Sequence, residues 1–388
     1  MSRVQSHRES PTLDKPMLDL AARVALRGFG HVEPNPLVGA VIVREGQVIG
    51  LGHHRRFGDL HAERDALANC RAGGHDPRGA TAYVTLEPCR HMGKQPPCTD
   101  ALIEAGIAEV VYAVDDPHEA SGGGCGLLRS AGIGVRKSDA SIAAIRLSEP
   151  FVKRVRTGLP WIIAKWAQTI DGRAATRTGE SKWISNDRSR RRVHQLRARV
   201  DAILAGFGTV AADDPMLTAR CVHVRRKAKR VILDRELNIQ PDSKLVLSAR
   251  SEPTLIACSK DLIVADIVAR RREALEAAGV TLLGVPEDVG RLHLPLLMAT
   301  LAEKCNVATV LVESGPGLLG AMFELDLIDE AVVYLAPLLL GDEMAKSVAS
   351  GRVATSLTEG RRFDLLRAKR LGDDVELVYR RRREVVKL

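Results

Sequence analysis

The chain has 388 residues, more than one hydrophobic core comfortably serves, so two domains are expected. Apolar residues make up 45% and charged residues 27%, an ordinary globular balance, and no apolar run approaches the roughly 18 residues of a membrane span. The formal charge of +9 suits anionic partners, but aromatic residues at 3% leave few platforms on which single-stranded nucleic acid would stack.

The N-terminal stretch, residues 1–15, reads as a polar tail without the apolar centre of a secretory signal, so a cytoplasmic protein is expected. Met17, Leu20, Ala21, Val24 and Ala25 recur at helical spacing after an Asp14 cap, and Gly28 with Gly30 closes that helix. Ala40 to Val43 and Val48 to Leu51 read as a hairpin around Glu45-Gly46. A helix over 61–72, a strand over 81–86, a helix over 100–105 and a strand over 110–114 continue an α/β alternation. Residues 138–156 read as a basic, mostly helical stretch interrupted by Pro150, and the Gly and Pro of 157–160 punctuate the chain. The first domain is therefore placed at 16–152 and the second at 153–388. Strands are expected in the second at 161–167, 202–206, 230–234, 254–258, 307–313 and 331–336, with Val375 to Arg380 as an added edge strand of a mixed sheet.

Seven cysteines scattered over the chain argue against a disulfide framework and raise the question of metal ligation. His61-Ala62-Glu63, with Pro88-Cys89 and Pro97-Cys98, supplies one imidazole, two thiolates and a nearby carboxylate. Zinc takes four ligands, so His61, Cys89 and Cys98 would leave a position for a water whose pKa falls toward about 7. In zinc deaminases a Glu beside the ligand His is not itself a ligand and shuttles protons, which is the expected role of Glu63. A closed structural zinc site is the competing reading, but it would normally have four protein ligands.

Together with Asn35-Pro36-Leu37-Val38-Gly39, the His61-Ala62-Glu63 run and the EPC…HxG…PPC pattern over 87–98 resemble the deaminase half of the bifunctional riboflavin-biosynthesis deaminase/reductase family. The resemblance implies a cytidine-deaminase-like three-layer α/β/α domain in which Asn35 and His54 line the pyrimidine pocket and His91 lies in the substrate loop. Leu60, Arg90, Met92, Gln95 and His118 depart from the family's usual residues. None is an expected metal ligand or proton shuttle, so affinity or loop shape is where these changes are expected to act.

The second domain opens with Lys165 to Arg173, Gly179 to Ser185 and Gly208 to Thr218, polar turns at strand ends where α/β sheets bind ligands. These runs resemble the reductase half of the same family, implying a dihydrofolate-reductase-like α/β fold and NADPH as cofactor. Gly315-Pro316-Gly317-Leu318-Leu319-Gly320 matches G-x-G-x-x-G between a strand and a helix and suits a phosphate, although a tight strand-to-helix turn would read the same way. Carried over by position, Ala167, Trp183, Thr209, Asp213 and residues 315–320 would contact the cofactor. Ser181, Arg197, Leu217, Arg220 and Glu313 would hold the substrate, with Arg197 and Arg220 as phosphate clamps. Arg235, where the family usually has Ser, is expected to meet the cofactor's 2′-phosphate.

The family implies one zinc ion per chain, a small phosphorylated pyrimidine as substrate and a homo-oligomer. The rival reading is a nucleic-acid-binding protein that uses the basic stretches 188–199, 225–230 and 380–383, but these lack interleaved aromatics. A deaminase with a degenerate reductase half is a third reading, and the intact 165–220 pattern speaks against it. Neither nucleic acid nor membrane is expected as a partner.

Overall fold

A computed structural model describes residues 13–351 and 354–382, so most of the expected N-terminal tail lies outside the described residues. The first unit runs through α1 (Asp14–Ala25), β1 (Gly39–Arg44), β2 (Gln47–His53), α2 (Ala62–Ala72), β3 (Thr81–Leu86), α3 (Cys98–Glu104), β4 (Glu109–Val114), α4 (Gly124–Ser130), β5 (Gly134–Lys137) and α5 (Ile142–Thr157). Glu45 and Gly46 both adopt positive φ, the backbone that joins β1 to β2 in a tight hairpin. The sheet has the order β2-β1-β3-β4-β5, antiparallel from β2 to β3 and parallel from β3 to β5. Alternation along β1 sends Ala40 and Ile42 to one face, with Leu67, Leu102 and Leu128, and Val41 and Val43 to the other, with Leu18 and Ala144. That gives three layers.

Three details differ from the sequence expectation. Asp14 does not cap α1 with its side chain; it is buried and paired with Arg136 of β5. The helix α5 is not interrupted at Pro150, because its packing against α1, β3 and β4 outweighs the missing N–H. It also runs through the expected boundary at 152/153, and the two compact units part between Gly158 and Leu159.

The second unit contains β6 (Trp161–Thr169), β7 (Arg173–Ala175), α6 (Asp187–Arg197), β8 (Ala202–Gly206), α7 (Phe207–Asp213), β9 (Lys229–Leu233), α8 (Lys244–Leu247), β10 (Thr254–Ser259), α9 (Ala269–Ala277), β11 (Thr281–Val285) and the short hairpin β12 (Glu287–Asp288) and β13 (Arg291–Leu292). It continues with α10 (Leu294–Lys304), β14 (Thr309–Val312), α11 (Pro316–Glu324), β15 (Glu330–Ala336), β16 (Lys346–Ser347), β17 (Phe363–Leu371) and β18 (Asp374–Arg381). Its nine-stranded sheet has the order β11-β10-β9-β8-β14-β6-β15-β18-β17. Neighbours are parallel from β11 to β15, whereas β18 and β17 are antiparallel additions. Ile162, Ala164, Leu204 and Val310 face α10 and α11, while Ile163, Ile203, Ala205 and Leu311 face the opposite core. The expected final strand is present as β18, but it is interior; β17, not anticipated from the sequence, is the edge.

Among the described residues no helix is long and apolar enough to cross a membrane. The basic stretches are largely built into the fold: Arg192 pairs with Glu376, Arg226 with Asp201 and Arg380 with Glu330, and Arg230 is fully buried.

Candidate active sites

In the first unit the start of α2, the start of α3 and the chain leaving β3 converge. His61 precedes α2 in extended conformation, and its side chain makes no capping bond, which leaves the imidazole to face inward. Its Nδ1 lies 3.5 Å from Cys89 Sγ and 3.4 Å from Cys98 Sγ. The three donor atoms lie within 4.8 Å of one another, and all come from elements fixed by the sheet. Behind Cys89, a side chain at Gly124 would place its Cβ 2.0 Å from the Pro88 carbonyl oxygen, so only glycine lets α4 approach this closely. The Cys89 carbonyl accepts the Thr99 N–H at 3.2 Å, tying the two thiols' segments together.

An imidazole and two buried thiols, with no fourth protein ligand among the described residues, fit zinc with one position left for water. The hydrogen bond with Cys98 and the neighbouring His61 push the Cys89 thiol down, and the hydrogen bond with Cys89, together with burial, holds the Cys98 thiol up. Glu63, in the first turn of α2, is buried, and burial with the neighbouring Cys89 thiolate pushes its carboxyl up to about 7. A carboxyl near neutrality both takes and gives protons.

These residues open on a cavity of about 310 Å³. Asn35 and His54 line it, and their hydrogen bonds define the ring's tautomer. His54 Nδ1 donates to the Leu60 carbonyl at 3.0 Å, so Nε2 accepts from Asn35 Nδ2 at 3.3 Å. Burial holds His54 neutral by lowering its pKa. Because Leu60 contributes only its carbonyl here, its departure from the family's usual residue leaves this contact intact. His91 also lines the cavity, and its Nδ1 is buried with no hydrogen-bond partner among the described residues.

The 89–98 loop is tied to α2 by Arg64, which donates to the Pro96 and Pro97 carbonyls at 3.1 and 2.8 Å. Gln95 donates to the Gly58 carbonyl, Arg90 to the Glu119 carbonyl, and Met92 is exposed. His118 accepts the Ala120 N–H, shaping the far wall. Sequence reasoning missed Glu87, whose carboxylate accepts the N–H groups of Asp116 and Cys125, and Phe151, which reaches the cavity from α5. The Glu of the EPC run was a signal for the first; nothing local marked the second.

In the second unit a cleft of about 740 Å³ lies at the ends of β6, β8 and β14. It brings together Ala167, Trp183, Thr209, Asp213 and residues 315–319, and also Ser181, Arg197, Leu217, Arg220 and Glu313. Added Cβ atoms at Gly315 and Gly317 would meet nothing within 4 Å, so this turn presents open backbone to the cleft. Gly320 does not line it; there a Cβ would lie 1.7 Å from the Ser350 carbonyl oxygen.

Glu313 is the cleft's buried anion. Arg197 holds it with two bonds of 2.6 and 3.0 Å, and Lys165 with one of 2.8 Å. Burial alone would raise its pKa, but the two cations outweigh it and hold the carboxyl well below the ordinary range. Arg197 lines the cleft and is engaged there by Glu313 and by the Thr218 carbonyl. Arg220 has no carboxylate partner among the described residues, and neither does Lys346, a lining residue that no sequence motif marked.

The exposed Trp183 ring stacks under the Arg190 guanidinium at 4.5 Å, and Lys182 pairs with Asp213 at 2.7 Å. Arg235 does not line the cleft. Its guanidinium pairs with Glu236 and lies 3.5 Å from Glu287, and it donates to the Gly290 carbonyl at 2.9 Å.

The family model described as the RibD C-terminal domain matches residues 160–377. A second, the cytidine and deoxycytidylate deaminase zinc-binding region, matches residues 11–114. The riboflavin biosynthesis protein RibD of Escherichia coli is 38% identical over 360 residues, covering 92% of this chain and 96% of that one. The chain belongs to the RibD family. Its counterpart in Bacillus amyloliquefaciens is 37% identical over 363 residues, covering 93% of this chain and 94% of the relative. Among solved structures, Acinetobacter baumannii RibD superposes with a TM-score of 0.81 at 35% identity, covering 96% of this chain and 99% of that one. A Thermotoga maritima diaminohydroxyphosphoribosylaminopyrimidine deaminase/5-amino-6-(5-phosphoribosylamino)uracil reductase gives the same TM-score at 32% identity and the same coverage. The chain is therefore an enzyme of riboflavin biosynthesis with a zinc-binding deaminase region and a reductase region, and the fold class expected from the sequence holds in both units.

Proposed function

We propose that the chain deaminates 2,5-diamino-6-(5-phosphoribosylamino)pyrimidin-4-one in its first unit and reduces the ribosyl group of the product to ribityl phosphate, with NADPH, in its second. The observation that carries the reading is the convergence of His61, Cys89 and Cys98 beside the buried carboxyl of Glu63. His61, Cys89 and Cys98 would hold zinc, which when bound supplies activation of water at neutral pH. Glu63 takes a proton from the attacking water and delivers it to the ring nitrogen, then takes the proton of the hydroxyl formed on the ring carbon and delivers it to the departing amino group, so that the carbon–nitrogen bond breaks, the carbonyl forms and ammonia leaves. Asn35 and neutral His54 orient the pyrimidine, and His91 offers it the unpartnered Nδ1.

In the second unit NADPH, when bound, supplies the hydride that reaches ribose C1′. Ala167, Trp183, Thr209, Asp213 and the open turn over 315–319 support a cofactor subsite, and Ser181, Leu217 and Arg220 a substrate subsite. Arg220, without a carboxylate partner among the described residues, suits the substrate phosphate, while Arg197 fixes Glu313 in the cleft. A cytoplasmic enzyme that self-associates completes the proposal; sedimentation of the purified protein tests the self-association.

The test follows ammonia release and NADPH oxidation separately on the purified chain. Glu63→Gln is expected to keep its zinc and to reduce deamination about 10²-fold or more. It should oxidise NADPH at the wild-type rate when given deaminated substrate. A variant that deaminates normally would remove Glu63 from the reaction, and a wild type that releases no ammonia would overturn the reading.

A further inference from the structure

Asp65 stands two residues beyond Glu63 on α2, is buried, and is no part of the donor set. Its carboxylate grips the chain on both sides of His54. Oδ2 accepts the His53 backbone N–H at 3.0 Å, and Oδ1 accepts Arg55 Nε at 3.1 Å, with a second guanidinium nitrogen also at 3.1 Å. The clamp fixes the backbone on both sides of a ring that lines the cavity, its centroid 5.3 Å from that of His61.

The remaining restraints on His54 are weaker in kind. Its N–H bonds the Val38 carbonyl at 3.2 Å, its Nδ1 the carbonyl of Leu60 in a surface turn, and its Nε2 the Asn35 amide. The bonds that Asp65 makes are charge-assisted, the stronger class, and Arg55 and the His53 backbone have no other carboxylate within reach among the described residues. The contact between α2 and β2 is also rigid. A Cβ at Gly52 would lie 2.1 Å from the Ala66 nitrogen, so the helix sits directly on the strand. A single helix thus fixes Glu63 and, through Asp65, holds the segment of His54, which lines the same cavity.

We propose that Asp65 is a positioning residue for the deamination, acting on substrate binding through His54. The inference rests on the deaminase reading above, and its test separates the two. Asp65→Ala should keep zinc at the wild-type ratio and keep NADPH oxidation on deaminated substrate within about twofold of wild type, while the KM for deamination rises about tenfold with kcat changed far less. Asp65→Asn retains an oxygen for the His53 N–H but turns an amide toward Arg55, and should fall between.

A double-mutant cycle decides whether the effect passes through His54. Built in a Glu63→Gln background and read from the calorimetric Kd of the aminopyrimidine nucleotide, it does not depend on turnover. Asp65→Ala should weaken binding about tenfold when His54 is present and less than about twofold beside His54→Ala. Equal effects in both backgrounds, or an unchanged Kd, would overturn the inference. Loss of zinc from both Asp65 variants would overturn it too, by making Asp65 a structural support of the metal site. A wild type that releases no ammonia would sink the deaminase reading, and the Kd cycle would still decide the role of Asp65.

Discussion

Glu313 shows how one buried charge organises a site. Removing its charge as Glu313→Gln leaves the mostly buried Lys165 and Arg197 facing an uncharged amide, which typically costs about 3–5 kcal/mol. The tryptophans, Trp161, Trp166 and Trp183, all belong to the second unit, so their fluorescence in a denaturant titration reads that unit alone. The variant should unfold earlier there and lose NADPH oxidation while ammonia release persists. Because the folded pKa of Glu313 is depressed, its contribution is complete above the ordinary carboxylate value and is lost as pH falls through the folded one. The wild-type midpoint should therefore drop on acidification below about pH 4, and the variant should drop less; equal slopes would mean that Glu313 is not the group responsible. Much of the deaminase site could be read from the sequence because it depends on residue types at short, fixed spacings: His61 with Glu63, and the two Pro-Cys pairs. The pairing of Arg197 with Glu313 could not be read, because the partners lie 116 residues apart. The contacts of Arg235 with Glu287 and Gly290, 52 and 55 residues distant, could not be read for the same reason.

The turn between β14 and α11 separates two uses of glycine within one motif. At Gly317, inside the first turn of α11, a methyl group meets open space, so Gly317→Ala should leave the protein as stable or up to about 1 kcal/mol more stable. It should nevertheless weaken NADPH binding, because the methyl projects where a phosphate would approach the backbone. Gly320→Ala should do the reverse, lowering the tryptophan-reported midpoint, since its methyl would collide with the Ser350 backbone, whose N–H also bonds the Pro316 carbonyl. Thermal melts and NADPH titration of the two variants check the contrast, and similar behaviour would mean that the turn is structural throughout. Arg230 joins elements in another way. Fully buried on β9, it donates to the carbonyls of Met216, Leu245 and Glu252 and to the hydroxyls of Ser248 and Thr254. Arg230→Met should destabilise the second unit by about 3 kcal/mol or more by leaving several buried acceptors unpaired, and should loosen the Leu217 segment in the cleft. Most strands were legible because parallel sheets bury both faces and write continuous apolar runs such as 202–206 and 254–258. The sheet edges β5, β11 and β17 were missed, and in β17 Arg367, Lys369 and Arg370 are exposed and the sequence does not alternate cleanly. Pro150 misled in the opposite direction, because a local rule about helix interruption does not include the packing that holds α5 together.

At the scale of the molecule, the two chemistries occupy separate units and call on separate added groups, so each should answer to its own ligand. Chelation should abolish ammonia release, because His61, Cys89 and Cys98 are the only cluster of metal-binding side chains found among the described residues. The described residues of the second unit hold no such cluster, and NADPH oxidation on deaminated substrate should survive the chelator. The converse experiment adds NADPH and follows unfolding. A ligand at about 100 times its Kd stabilises the state it binds by about 2.7 kcal/mol, which for a unit of this size corresponds to roughly 5–10 °C in Tm. The tryptophan-reported transition should rise by that amount. A transition of the first unit, followed by zinc release to a chromophoric chelator, should not move if the units unfold independently. A parallel rise in both would mean that cofactor binding in one unit is energetically linked to the other, and the pH and variant effects argued above for the second unit would then have to appear in deamination as well.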